Sequence, residues 1–357
     1  MTRRRVLLVA ASILALCLNA PFIPDVGAAA ETLPSRLADE DFWRMASDFS
    51  ERSGSFQSDN LLSNERGLQY VIPDLTQIAK PNRVYLGVGP EQNFTYIAAL
   101  RPKIAFIVDI RRGNRDLHLM YKALFELSAD RAEFVSRLFS KKRPDGLDAH
   151  STVAEIFDAY ANVETSDTLR TENLRAIVNQ LVKKHRFTLP GDDLLRLQHI
   201  YSDFCSYGPG LRYSSTRNGS GRRREPTYSD LMVATDRDGQ TRGYLSTEES
   251  FAFVKEFQTQ NLLVPLVGNF AGPKALRAVG EYLKGKGATV SAFYVSNVEE
   301  YLRRDNSWPN FCANVNTLPI DETSTFIRSV PGRESNPGFA LDSELGVMAA
   351  DVKACVP

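Results

Sequence analysis

Cysteine and histidine are scarce, with four of each among 357 residues, and no C-x-x-C pair or Cys/His cluster occurs. A structural zinc ion needs four such ligands at short, regular spacings, so no metal site is expected. An excess of one charge is also lacking, since 43 basic residues balance 43 acidic ones. Without a global field there is nothing to draw the chain to nucleic acid or to an anionic membrane surface. No G-x-S-x-G elbow, H-E-x-x-H helix or Walker loop is present, which removes the usual signatures of a serine hydrolase, a zinc protease or a nucleotide triphosphatase. Beyond the first thirty residues no apolar run approaches the roughly 20 residues that a membrane-spanning helix requires. What is plentiful is core-forming material, including 20 Phe and 13 Tyr.

The N-terminus carries basic Arg3, Arg4 and Arg5, an apolar run from Val6 to Leu18, and small residues at Ala28, Ala29 and Ala30. This is the layout of a secretory signal peptide over residues 1–30, with cleavage near Ala30 and a periplasmic or extracellular destination. The arginines also suit a twin-arginine signal, so the general secretory and folded-protein routes both stay open. Cleavage leaves Cys205, Cys312 and Cys355. An oxidising compartment permits one disulfide among them, with Cys312 and Cys355 a candidate pair that spacing alone does not decide.

Residues 31–80 show apolar residues such as Phe42, Met45, Phe49, Leu61, Leu62 and Leu68 among polar punctuation, and are expected to form a helical lead-in. Arg83–Val88 and Ile104–Ile110 are short, continuously apolar runs separated by Gly89-Pro90 and a helix-length segment over 92–100. That is a βαβ unit, and continuous apolar strands mark a parallel sheet covered on both faces. About 116–205 carries four helical patterns and is expected to be a helical insertion. The polar stretch at about 213–226, with Arg222, Arg223 and Arg224, is expected to be a mobile loop. Leu231–Thr235 and Arg242–Leu245 flank Asp236-Arg237-Asp238-Gly239 as a hairpin. Strands follow at Leu262–Phe270 and Thr289–Val295, then two more at FCANVNTLP and STFIRSV before a tail over 336–357. The expected fold is α/β and Rossmann-like over 81–335, a mostly parallel sheet flanked by helices.

In such sheets ligands bind beyond the carboxyl ends of the strands. Three strand ends hold suitable residues. Gly87 and Gly89, followed by Glu91 and Gln92, offer a tight turn and a helix N-terminus; Asp109 ends the next strand, with Arg111 beside it; Asn269 and Phe270 end a later one. Asn297, Glu299 and Tyr301 follow the strand after that and are candidate substrate contacts, although Asn297 equally suits a plain helix cap. Glu91 stands where a third loop glycine is common, and Arg111 or Arg112 is expected to pair with it.

The segments VYLGVGPEQNFTYIAALRPKIAFIVDIRRGN and PKALRAVGEYLKGKGATVSAFYVSN resemble the glycine loop, acidic strand end, later helix and strand five of class I S-adenosylmethionine-dependent methyltransferases. GNFAGPKALR, SNVEEYL and a YKALFE-like helix are similar to segments of uncharacterised exported bacterial proteins. The first resemblance implies S-adenosylmethionine as cofactor: Gly87 and Gly89 along its methionine end, Asp109 on its ribose, Asn269 and Phe270 facing the methyl group. It leaves the catalytic residues and the substrate unspecified. The alternative is a non-catalytic binding or scaffold protein that keeps the fold. A nicotinamide cofactor suits Gly-x-Gly and a later Asp too, but Asn93 and Phe94 occupy the region of its final glycine.

Overall fold

The computed structural model describes residues 32–213, 225–331 and 341–355. The expected signal peptide and the arginine-rich stretch therefore lie outside the described residues. A six-stranded sheet is built from β1 (Val84–Gly87), β2 (Ile104–Asp109), β3 (Leu263–Val267), β4 (Val290–Ser296), β5 (Thr325–Pro331) and β6 (Leu341–Val347). The spatial order is β3-β2-β1-β4-β5-β6. All neighbours are parallel except β5 and β6. The first four strands are almost wholly buried, as continuous apolar runs require when helices cover both faces.

Fourteen α-helices occur among the described residues. Before the sheet come α1 (Asp39–Asp48) and α2 (Ile72–Ile78), and α3 (Gln92–Leu100) links β1 to β2. Between β2 and β3 lie α4 (Arg112–Leu127), α5 (Arg131–Phe139), α6 (Val153–Ala161), α7 (Asp167–Val178), a π-helical turn, α8 (Gly191–Tyr207), α9 (Tyr228–Val233) and α10 (Glu248–Thr259). The rest are α11 (Ala275–Gly285), α12 (Val298–Arg304), α13 (Trp308–Val315) and α14 (Met348–Ala354). Aromatic side chains fill both sides of the sheet: Phe106 of β2 packs on Phe49 and Tyr282 on one side, while Tyr96 of α3 meets Tyr85 and Tyr294 on the other.

Four local expectations need correction. The lead-in is helical only at α1 and α2, and residues 49–71 form no helix, in keeping with a run of Ser, Gly and Asn that favours turns over helix interiors. Leu231 lies in α9, so the expected hairpin is a turn in which Asp236 accepts the amides of Asp238 and Gln240 with no strand on either side. FCANVNTLP is helical through Val315, after a Pro in the first turn of α13, a position where proline suits a helix. The expected tail supplies β6 and α14 instead.

Buried ion pairs hold the helical layer. Asp193 of α8 accepts Arg112, Arg115 and Arg196 at 2.6–2.8 Å, which fixes α8 on the start of α4. Glu126 of α4 bonds Lys122, His185 and Gln180. Burial pushes its carboxyl up, but these partners outweigh burial and hold it at about 2. His185 also bonds Asp39 of α1 at 2.8 Å, so the same node docks the first helix.

Cys312 of α13 is disulfide-bonded to Cys355, just beyond α14, and Cys205 is a buried free thiol. The bond closes a loop of 43 residues, for which loop-closure entropy is worth about 4 kcal/mol. Replacing both Cys312 and Cys355 with Ser should lower the unfolding free energy by roughly 2–4 kcal/mol in a urea titration; an unchanged midpoint would mean that packing alone holds the C-terminal helix.

Candidate functional site

The strand order reverses between β1 and β4, because β1 runs on to β2 and β3 on one side while β4 lies on the other. A crevice opens at such a reversal because successive connections leave it in opposite directions. Here a cavity of about 530 Å³ lies beyond the carboxyl ends of β1 to β4. A second hollow, about 460 Å³, sits on the helical layer between α7 and α8, away from the strand ends.

The outer wall of the cavity is the segment between α1 and α2, which crosses the strand ends in order. The Glu51 amide bonds the Val267 carbonyl at the end of β3, and the Gly54 amide bonds the Ile110 carbonyl just past β2. Arg111 then bonds the Asp59 carbonyl. The Ser63 amide donates to Glu91 beside β1 at 3.1 Å, and Glu65 reaches Tyr294 and Ser296 on β4. This strap and the sheet enclose the cavity between them.

The turn after β1 is held by its own side chains. Asn93 donates to the carbonyls of Val88, Gly89 and Pro90 and accepts the Tyr85 hydroxyl at 2.8 Å. A Cβ on residue 87 would meet the Asn93 side-chain Oδ1 at 1.9 Å, and Gly89 has φ +76°, so both positions need glycine. His118 of α4 lies within 2.9 Å of the Gly89 carbonyl; burial lowers its pKa to about 4, which keeps the ring neutral.

The acids at the strand ends differ in their partners. Asp109 accepts from the Arg111 side chain through both oxygens, at 3.0 and 2.7 Å, and from the Arg111 amide at 2.8 Å. Its charge is therefore neutralised within the protein. Glu51 occupies the start of α11, accepting the Lys274 and Ala275 amides at 2.9 and 2.8 Å, where the helix dipole favours an anion. Glu91 is fully buried and pairs with neither Arg111 nor Arg112, contrary to expectation, because those arginines are taken by Asp109 and Asp193. The Ser63 amide donates to its Oε1, and Oε2 has no partner among the described residues. Burial pushes its carboxyl up to about 8, with repulsion from Glu65 adding to the effect.

Glu65, which the sequence did not single out, is one of the acids in the cavity wall. It is 1% exposed and accepts the Tyr294 hydroxyl at 2.5 Å and the Ser296 hydroxyl at 2.7 Å through Oε1, with the Ser329 hydroxyl a further partner of the buried carboxyl. Burial raises its pKa, and the hydroxyl bonds only partly offset that.

One comparison with known proteins bears on this site. A family model described as Domain of unknown function (DUF7790) matches residues 61–344. The chain belongs to that family. No curated protein matches it. The matched span of this DUF7790 member takes in Glu65 and the ends of all four strands, and stops short of Cys355.

Gly89, Gln92, Asp109, Arg111, Asn269, Phe270, Asn297 and Tyr301 line the one cavity. Gly87 underlies the turn, and Glu91 sits behind the wall. Asn269 spends its side-chain oxygen on the Ala271 amide, and Phe270 meets Phe293 edge-on and stacks on Phe311. Glu299 points elsewhere, pairing with Arg328 of β5 at 2.9 and 3.0 Å. The Asn297 side chain makes no capping bond to α12. The strand likened to a fifth strand pairs directly with β1 and is the fourth in this sheet. Among the described residues no group of three or more His, Cys, Asp or Glu could hold a metal ion, and no helix is long and apolar enough to cross a membrane.

A carboxyl that keeps its proton longer in the folded chain than in the unfolded one makes stability fall as pH rises between the two pKa values. For Glu91 that window runs from 4.5 to about 8. Glu91→Gln should flatten the decline and raise the urea midpoint at pH 8 more than at pH 5; an equal change at both pH values would contradict the burial argument.

Proposed function

We propose that this chain is an exported small-molecule-binding protein on a Rossmann-like frame, and that its strand-end crevice takes S-adenosylmethionine or a ligand of similar chemistry. The observation that carries the reading is a cavity at the strand-order reversal bordered by the buried Glu65 carboxyl and by two oxygen acceptors that have no partner among the described residues, Asn60 Oδ1 and Gln92 Oε1. Buried acceptors without partners favour a ligand that brings hydrogen-bond donors, since each unmatched group costs about 1–3 kcal/mol. S-adenosylmethionine brings an ammonium, ribose hydroxyls, an adenine amino group and a sulfonium charge. A dinucleotide brings phosphates, which an acceptor-rich wall disfavours. In this reading the Gly87–Gly89 turn faces the methionine end, with Asn269 and Phe270 near the methyl group, and the transferase step passes that methyl to an acceptor of unassigned identity.

Two contacts favour the second reading, a binding or scaffold protein without catalysis. Asp109, the ribose candidate, is already clamped by Arg111, and Glu51 fills the helix start after β3. A cofactor would share Asp109 with the guanidinium. Export is supported by the signal-like N-terminus and by the Cys312–Cys355 bond, since disulfides persist in oxidising compartments.

Calorimetric titration of the protein lacking residues 1–30 with S-adenosylmethionine and with S-adenosylhomocysteine tests the reading. Binding of either, weakened at least tenfold by Asp109→Ala, is the expected outcome. Absence of heat with both compounds would rule out the cofactor assignment, and binding without methyl transfer to any acceptor would favour the scaffold.

A further inference from the structure

Glu65 is an expensive residue to keep where it stands. An isolated carboxylate in a dry interior is strongly disfavoured, and such groups are normally paired or hydrogen-bonded through both oxygens. Its Oε1 takes two hydroxyls, Ser329 adds a hydroxyl contact to the carboxyl, and Oε2 is buried. Glu91 lies behind it with one oxygen that has no partner among the described residues, and Ser63 joins the two: its amide donates to Glu91 and its hydroxyl accepts the Glu65 amide.

The rest of the wall has a matching character. Four carboxyl residues, Glu65, Asp109, Glu225 and Asp305, face two guanidinium residues, Arg111 and Arg304. Arg111 is neutralised by Asp109, and Arg304 lies over the Tyr301 ring beside Asp305. Aromatic rings complete the lining at Phe56, Tyr213, Phe270, Tyr294 and Tyr301. A buried carboxyl whose partners among the described residues are hydroxyls and no cation, set among aromatic rings, is the chemistry that recognises an organic cation.

We propose that the crevice selects a ligand bearing a cationic nitrogen, which docks on Glu65 and displaces a proton from the Glu65–Glu91 pair. This rests on the reading that the crevice is a ligand site, but it does not depend on the ligand being S-adenosylmethionine. The step is a proton exchange: the carboxyl O–H breaks, its proton leaves to solvent, and the ligand N–H donates to the carboxylate in its place. The other titratable groups around Glu65 are phenols and one acid. Tyr85 of β1, Tyr96 of α3, Tyr294 of β4 and Tyr213 all have pKa values raised by burial, and Glu91 keeps its proton to about 8. None of the phenols ionises near neutrality, so the exchangeable proton belongs to the two carboxyls. Affinity for a cation should accordingly rise with pH, by up to tenfold per unit, until the carboxyl is ionised in the free protein.

One carbon skeleton in three charge states supplies the test. Phenethylammonium, 2-phenylethanol and phenylacetate are titrated calorimetrically into the protein lacking residues 1–30, at pH 6 and pH 7.5, in two buffers of different ionisation heat. The expected result is a dissociation constant at least tenfold lower for the ammonium than for the alcohol, no binding of the acid, and proton release on binding the ammonium alone. Glu65→Gln should abolish both the charge preference and the proton release; Glu91→Gln, a milder change, should reduce the proton release if Glu65→Gln does not fold. Equal binding of the three compounds, preference for phenylacetate, or binding without proton release would overturn the proposal and leave a crevice that binds by other means. Failure of all three to bind would also overturn it. A neutral or anionic molecule found by mass spectrometry on natively purified protein would then preserve the crevice reading without this one.

Discussion

The strap between α1 and α2 is the constraint on which the site depends. A parallel sheet exposes its strand ends as a row of backbone groups and leaves them to loops or solvent. Here one segment visits the ends of β3, β2, β1 and β4 in turn, through Glu51, Gly54, Asp59, Ser63 and Glu65. It turns an open groove into a walled cavity, and it brings in the acids that set the cavity's character. Because these bonds are to main-chain groups and buried side chains, shifting the strap would leave several donors and acceptors unmatched at once, each at a cost of about 1–3 kcal/mol.

That arrangement also explains why the strand ends look unlike an anion site. Helix N-termini after parallel strands commonly hold phosphate or carboxylate. In this chain Glu51 already provides a carboxylate after β3, Asn93 ties up the carbonyls after β1, and Arg111 closes on Asp109 after β2. The protein has supplied its own counterparts for the charges such a site would otherwise recruit, and what is left over is oxygen acceptors.

Much of the frame was legible in the sequence because it rests on local pattern. The apolar runs around Leu86 and Ile107 and the helix over 92–100 follow from periodicity and turn chemistry, and the strands meet in parallel as the βαβ pattern requires. Gly87, Asp109 and Asn269 come together because each ends a strand of the same sheet. Other features were illegible because they rest on distant partners. Nothing near Glu65 announces that it faces Tyr294, 229 residues away. Nor does any local feature say that Arg111 turns back on Asp109 instead of reaching Glu91. FCANVNTLP reads as a strand by its β-branched and aromatic content, yet its tertiary position, with Asn314 bonding the Phe270 and Gly272 carbonyls, selects helix. The Ser, Gly and Asn of residues 50–64 did carry a signal against helix, and it was outweighed by the apolar residues spaced among them.

The pairing of β1 with β4 has a consequence for biogenesis. Val84 meets Val290, and Glu65 meets Ser296, so the crevice has no inner wall until some three hundred residues of chain are available to fold. Contacts so far apart in sequence form late and slowly. A nascent polypeptide would thus present the β1 turn and the strap without their counterpart. The pocket is thus a property of the nearly complete chain, and it cannot serve as a template for the chain's assembly.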